Sequence, residues 1–267
     1  CTGTAKQRLS CLRKLPAGVL ANSTHWGDLN FGLDGFLLNN TPANATLYYN
    51  GPLLLGGNTE DTTCYQSTSP VTPTNASGLM KLLTQYFGED AEEVLRPYNS
   101  SISPAPAGAT ASQLWLNMSR DAGVSCPTLW LAHRFAKQAK QPESVYLYSF
   151  EFNATKPGSG VLHGDEVDLV WQRPPAKSVP SAREVSTHVG QYWSAFVGQG
   201  KPDTAPVEKG WPSWPSLGKD DRFLAFTDKG VGESRSNFYE AKCEAWSQYV
   251  QRGALQRQRF ISFGYLC

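Results

Sequence analysis

The stretch YYNGPLLLGG, residues 48–57, decides the fold class, because an apolar run that ends at paired glycines is typical of a buried strand leading into a loop. A second run, SVYLYSFEF at residues 144–152, is rich in aromatic and β-branched residues and predicts another strand. The pattern predicts a third strand at 222–227 and helices at 77–98 with a break near Gly88, 110–122, 126–140, 182–198 and 238–255. Helices and strands that alternate without an internal repeat predict an α/β protein.

Asparagine usage points to the secretory pathway. Seven of the twelve asparagines stand in N-x-Ser/Thr sequons, well above what Ser/Thr frequency alone would produce. Because a glycan needs a solvated site, each sequon is expected to mark a loop or an outer face. The seven predicted acceptors are Asn22, Asn39, Asn44, Asn75, Asn99, Asn117 and Asn153.

Cysteine usage agrees with an oxidising compartment. The six cysteines include no C-x-x-C pair and the chain has only four histidines, which favours structural disulfides over a zinc site. No other pattern indicates a metal or an organic cofactor, so none is expected.

Charge and hydropathy exclude two classes of partner. The net charge is +1 and the charged residues are scattered, so the chain has neither a nucleic-acid footprint nor a basic membrane-binding face. No apolar run approaches the roughly 20 residues that a membrane span requires. We therefore expect a protein that is secreted or resides in the secretory lumen, with no membrane span and no nucleic-acid partner.

Two loops carry residues that could do chemistry. Glu60 and Asp61 directly follow the predicted strand at 48–57, where ligand sites of α/β sheets collect. His163 stands in GVLHGDEVDLVW, in a loop reached from the strand at 144–152. Taken alone, an acidic pair is typical of a solvated turn and a single histidine of a structural residue. His133 and His188 fall inside predicted helices and are interpreted as packing or surface residues.

Eight segments in order resemble the C-terminal half of the type-B carboxylesterase and cholinesterase family of α/β-hydrolases. They are CLRKLPAGVL (11–20), FGLDGFLL (31–38), LLLGGNTED (53–61), CPTLWLAHRFA (126–136), VYLYSFEF (145–152), GVLHGDEVDLVW (160–171), YWSAFVGQGKP (192–202) and GWPSWPS (210–216). The resemblance implies that residues 1–267 form the C-terminal part of one α/β-hydrolase domain. It would contribute half of a mostly parallel central sheet with flanking helices.

The resemblance also implies a Ser-acid-His triad in that chain order. His163 matches the family's catalytic histidine in the pattern H-G-x-E, and Asp61 matches the acid that orients it. Thr62 replaces the glycine that usually follows the acid, so Glu60 stays a second choice. A carboxylate bonded to one ring nitrogen would fix the imidazole tautomer, and the other ring nitrogen would take the proton of the nucleophile.

The nucleophile motif G-x-S-x-G does not occur in the 267 residues. The string most similar to this motif is GESRS at 232–236, which lies far downstream of the acid and the histidine. Ser234 is therefore not interpreted as the nucleophile. The resemblance therefore implies a companion N-terminal chain that carries the serine and the oxyanion hole, made by cleavage of one precursor or as a second gene product. A companion would also cover the apolar edge strand that half a sheet leaves open. The alternative is a non-catalytic cholinesterase-like adhesion or binding domain.

The resemblance implies a pocket and two disulfides. Trp26 and Phe31 fall where relatives line the acyl side of the gorge, although ordinary core aromatics would look the same, and Tyr65 follows the acid loop. Cholinesterases carry aromatic residues at positions equivalent to 64 and 65, so Cys64 disfavours choline esters. A neutral or aromatic small-molecule ester, or a related acyl compound, is the expected substrate. Cys1 is expected to pair with Cys11 and Cys126 with Cys243; Cys64 and Cys267 stay open.

Overall fold

The structure, a computed structural model, describes residues 1–23, 48–61, 72–99, 109–138, 142–206, 210–220, 222–229, 232–236 and 240–251. Some of the residues singled out by the sequence lie outside these ranges, namely Trp26, Phe31, Asn39, Asn44, Cys64, Tyr65 and Cys267.

One mixed sheet contains the strands of the described ranges. Its order is β1 (Leu53–Asn58), β2 (Val145–Phe150), β3 (Arg222–Phe226) and β4 (Gly232–Ser236). The first three strands run parallel to one another, and β4 runs antiparallel to β3. Every residue of β2 except Tyr148 is buried, because both faces of this strand are covered, and this explains its continuous run of large side chains.

The described part of the chain contains ten α-helices. They are α1 (Ala5–Leu12), α2 (Ala17–Ser23), α3 (Ala76–Phe87), α4 (Ala91–Asn99), α5 (Ala111–Arg120), α6 (Cys126–Gln138), α7 (Val167–Val170), α8 (Ala182–Gln199), α9 (Leu217–Asp220) and α10 (Glu240–Gln251). A π-helical segment, Asp121–Ser125, joins α5 to α6. None of the helices in these ranges has the length and apolar character that a membrane crossing demands.

Alternate residues of β2 face two separate cores. On one face, Val145 and Leu147 pack with residues of α3 to α6 and α10. On the other face, Tyr146 and Phe150 pack with α7, α8 and an aromatic turn that contains Trp214. The predicted α/β class is therefore confirmed, with a mostly parallel sheet between two helical layers.

Most predicted elements are present, and one strand was missed. The three predicted strands appear as β1, β2 and β3, and the expected helix break occurs at Gly88, whose φ of 60° lies in the left-handed region. The strand β4 was not predicted, because GESRS is polar and short. It forms by pairing with β3 in the register Leu224 to Ser234, which an isolated segment cannot reveal.

Two disulfides join the expected pairs of cysteines. Cys1 is bonded to Cys11 within an exposed segment, and Cys126 is bonded to Cys243 in the buried core. The second bond ties the start of α6 to α10 across 117 residues, so it closes the longer loop of the unfolded chain.

Candidate active site

The acid loop, Asn58–Asp61, and the histidine turn, Leu162–Asp165, meet just beyond the carboxyl ends of β1 and β2. Glu60 pairs with Leu162 in a parallel bridge, and the Glu60 N–H donates to the carbonyl of Val161 at 2.9 Å. The Val161 N–H in turn donates to Oγ1 of Thr59 at 2.9 Å. Two segments that are a hundred residues apart in sequence are thus held side by side.

His163 and Asp61 are in direct contact. Nδ1 of His163 lies 3.1 Å from Oδ1 of Asp61, while Oδ2 of Asp61 accepts a hydrogen bond from the Asn58 N–H at 2.6 Å. The acid side chain is 7% exposed and the imidazole 54% exposed. A buried carboxylate on Nδ1 can fix the tautomer of the ring and stabilise its protonated form, and the exposed part of the ring is open to a reactant.

Burial dominates the electrostatics of Asp61. Loss of hydration raises the pKa of this carboxyl above its ordinary value, against the opposing effects of the Asn58 N–H, the neighbouring His163 and the more distant Arg120. Ionisation of Asp61 in the folded protein therefore costs free energy, because the carboxylate loses hydration. Such costs are common where an acid orients a base.

Asn58 joins the two loops through its side chain, a contact that was not predicted from the sequence. It is 3% exposed, and its Nδ2 donates both to the carbonyl of Leu162, at 2.7 Å, and to Oε2 of Glu166. Its Oδ1 has no hydrogen-bond partner in the described part of the chain. The available signal was an asparagine at the end of an apolar strand, three residues before an acid.

Glycines allow the close fit of these loops. Gly164 has a φ of 83°, a left-handed conformation that lets the chain turn directly after His163. The turn is closed by the Leu162 N–H, which donates to the Asp165 carboxylate at 2.9 Å. At Gly160 a Cβ would lie 2.1 Å from the Glu60 carboxyl carbon, so a larger residue there would collide with the acid loop.

The other residues considered from the sequence lie elsewhere. Glu60 packs its side chain over Gly160, whereas Asp61 contacts the imidazole. His188 is buried in α8 and stacks on Trp211 with ring centroids 4.3 Å apart, which agrees with a packing role. Ser234 lies within β4 and not at a turn between a strand and a helix. The described residues contain no cluster of three or more side chains suited to hold a metal.

The sequons differ in their surroundings. Asn22 and Asn75 are exposed, and Asn75 uses its Oδ1 to cap α3 at the Gly78 N–H, which leaves its amide nitrogen outward. The expectation that all seven sequons mark solvated positions is wrong at Asn153, which is 8% exposed. Its Nδ2, the atom that a glycan would occupy, donates to the carbonyl of Gly160 at 2.8 Å, and its Oδ1 accepts from Thr155 and Lys156.

Comparison with known proteins is consistent with this geometry. The sequence model described as the carboxylesterase family matches residues 1–246. Human thyroglobulin is 23% identical over 285 residues, an alignment that covers 92% of this chain and 10% of thyroglobulin. The crystal structure of Aspergillus niger EstA superimposes with a TM-score of 0.71 at 18% identity, covering 92% of this chain and 52% of EstA. The fold is that of an α/β-hydrolase, and the chain spans about half of EstA and a tenth of thyroglobulin.

Proposed function

Because the chain belongs to the carboxylesterase family, we propose that it supplies the histidine and the acid of a serine ester hydrolase. The observation that carries this proposal is the 3.1 Å contact between Nδ1 of His163 and Oδ1 of Asp61, at the ends of two parallel strands. Asp61 is proposed as the acid in preference to Glu60, because it is the carboxylate that contacts the imidazole.

Each residue then has one role in acyl transfer. Asp61 accepts the hydrogen bond from Nδ1–H, so Nε2 of His163 is the base that removes the proton from a serine hydroxyl as its oxygen attacks the ester carbonyl carbon. The tetrahedral intermediate collapses with breakage of the bond to the alkoxide, and the His163 imidazolium returns the proton to this leaving group. A water molecule then attacks the acyl-serine with His163 as its base. The serine oxygen leaves, takes back its proton from His163, and the carboxylic acid is released.

The serine and the oxyanion donors are proposed to come from a companion N-terminal segment outside residues 1–267, either as a separate chain or in the same polypeptide. Two observations support this. The 267 residues contain no G-x-S-x-G, and within the described ranges β1 pairs only with β2, which leaves its other edge available for a further strand. The coverage of EstA, 52% of that chain, leaves room for such a segment.

Small neutral or aromatic carboxylic esters, or related acyl compounds, are the proposed substrates. Trp26, Phe31 and Tyr65 remain the proposed lining of the pocket. The disulfides and sequons support a secreted or lumenal protein, since both belong to the oxidising secretory pathway.

Ester turnover tests this proposal. The full-length protein, with any companion segment retained, is assayed on nitrophenyl esters of short and medium acyl chains, with and without prior treatment with an organophosphonate. We expect hydrolysis that the phosphonate abolishes. No hydrolysis of any ester in a folded protein, judged by its thermal transition, would contradict the proposal.

A binding domain without catalysis is the second candidate. The observation that favours it is the match to thyroglobulin, whose name denotes no hydrolase. In that case the Asp61–His163 pair would be a structural contact, and replacement of His163 would change stability but no reaction rate.

A further inference from the structure

A buried chain of hydrogen bonds, here named the Asp121 network, runs from α10 towards the acid loop. Nε1 of Trp246 donates to the Tyr98 hydroxyl at 2.7 Å, and this hydroxyl donates to Oδ2 of Asp121 at 2.9 Å. Arg120 holds the other oxygen, Oδ1, through Nε at 2.9 Å and Nη2 at 2.6 Å. Asp121 is fully buried, and these partners satisfy both of its carboxyl oxygens.

The same arginine reaches the acid loop. Nη1 of Arg120 donates to the carbonyl of Thr59 at 2.6 Å and has a longer contact, 3.4 Å, with Oδ1 of Asn117. Thr59 is two residues before Asp61, and its own hydroxyl accepts the N–H of Val161, two residues before His163. Arg120 therefore anchors a residue of the acid loop whose hydroxyl also binds the segment that leads to His163.

We propose that Arg120 is a positioning residue for the Asp61–His163 pair, which it orients through the carbonyl of Thr59. The expected effect of Arg120 on the reaction rate rests on the proposed function. Its expected effect on the geometry of the Asp61–His163 pair does not depend on that function. Asp121 belongs to the support of Arg120, since its Oδ1 accepts from two nitrogens of the guanidinium and so fixes the direction in which it points.

Only an arginine fits this position. The planar guanidinium donates in two directions at once, with one edge on Asp121 and Nη1 on the Thr59 carbonyl, whereas a lysine ammonium is a point charge that cannot span both acceptors. The π-helical segment starts directly after Arg120, and such insertions occur frequently at functional sites. Here the segment accompanies the burial of two consecutive charged residues.

The state of His163 can be read directly by NMR. These 267 residues contain four histidines, which isotopic histidine labelling makes visible in the full-length protein, and His163→Gln assigns the relevant imidazole signal. The Nδ1–H proton in a hydrogen bond to the Asp61 carboxylate should resonate far downfield. This signal reports the pair whether or not the protein hydrolyses esters.

Two variants remove the anchor in different ways. Arg120→Lys keeps a cation beside Asp121, and Arg120→Met with Asp121→Asn removes both charges, so that no unpaired buried charge is left to unfold the protein. The matched control is Tyr98→Phe, which removes the hydroxyl that donates to Oδ2 of Asp121 and accepts from Trp246 but leaves the contacts of Arg120 with Asp121 Oδ1 and Thr59 in place.

We expect both Arg120 variants to lose or broaden the His163 Nδ1–H signal and to lower kcat about 10- to 100-fold with KM little changed, because small displacements of a base have effects of this size. Tyr98→Phe should keep the signal and the rate even if its thermal transition falls. The inference is overturned if the wild-type protein lacks the signal, if the Arg120 variants retain it, or if Tyr98→Phe loses it equally. A signal that depends on Arg120 in a protein without esterase activity would support the positioning role and refute the proposed function.

Discussion

Nδ1 of His163 lies 3.1 Å from Oδ1 of Asp61, although 102 residues separate them in the chain. The acid is buried and the imidazole is half exposed, so the pair has a closed side and an open side. A base in an ester hydrolase requires both, because one ring nitrogen must be held and the other must meet a nucleophile.

Replacement of Asp61 by asparagine should lower the activity without lowering the stability. We expect kcat to fall by about 10⁴-fold, because the imidazole loses the acceptor that fixes its tautomer. Glu60→Gln is the control and should keep most of the activity. Comparable losses in both variants would contradict the choice of Asp61 as the acid.

Asp61→Asn should raise the temperature of the thermal transition at neutral pH. Burial raises the pKa of the Asp61 carboxyl, so its contribution to stability is present below its unfolded-state pKa and is lost as the pH rises through the folded-state value. At neutral pH the ionised group is therefore destabilising, and asparagine removes that cost. The stability difference between the variant and the wild-type protein should shrink as the pH falls towards 3.8, and a difference that grows instead would contradict the assignment.

Asn58→Ala should disturb both loops. The variant loses the donors to Leu162 and Glu166 and leaves their oxygens without this partner, which is expected to lower the free energy of unfolding by about 2 kcal/mol. Denaturant unfolding and ester turnover are measured together, and kcat should fall with stability. Asn50→Ala is the matched control, since Asn50 is exposed on the same segment and should change neither quantity.

Glycan occupancy should follow the burial of the sequons. Glycopeptide mass spectrometry of the protein expressed through a secretory pathway is expected to find glycans on Asn22 and Asn75, whose side chains are exposed. Asn153 should be unmodified, because its Nδ2 donates to Gly160 and its side chain is buried. A glycan on Asn153 of the folded protein would show that the loop before His163 has another conformation.

The two disulfides should differ in their effect on stability. In the loop-closure picture, removal of Cys126–Cys243, which spans 117 residues, should lower the free energy of unfolding by about 5 kcal/mol, and removal of Cys1–Cys11, which spans 10, by about 3 kcal/mol. Paired cysteine-to-alanine variants compared by denaturant unfolding give this difference. A larger loss for the shorter loop would mean that native-state packing, not chain entropy, sets the order.

Sequence patterns could predict the elements that carry their own periodicity. The run at β2 is rich in aromatic and β-branched residues, and it forms a strand because both of its faces are buried. β4 has no such pattern; its polar residues become a strand through pairing with β3, where Arg235 also holds the Glu151 carboxylate at 2.9 Å. Pairing with a neighbouring strand is a property that the residue pattern of one segment does not contain.

The same limit applies to the site. His163 and Asp61 could be predicted because motif resemblance marks each of them separately. Asn58 and Arg120 were missed, since their roles depend on partners 104 and 61 residues away that only the fold brings close. Burial of a polar residue is the property that distinguishes them, and it cannot be read from the residues on either side.

Serine-directed labelling tests the central claim most directly. The full-length protein and its His163→Ala and His133→Ala variants are treated with a fluorophosphonate, resolved under reducing denaturation and mapped by peptide mass. We predict label on a serine outside residues 1–267, equal in the wild-type protein and His133→Ala, and reduced by several orders of magnitude in rate in His163→Ala, because the base that activates the serine is absent. Label within these residues, at Ser234 or elsewhere, or labelling that is unchanged in His163→Ala, would contradict the account.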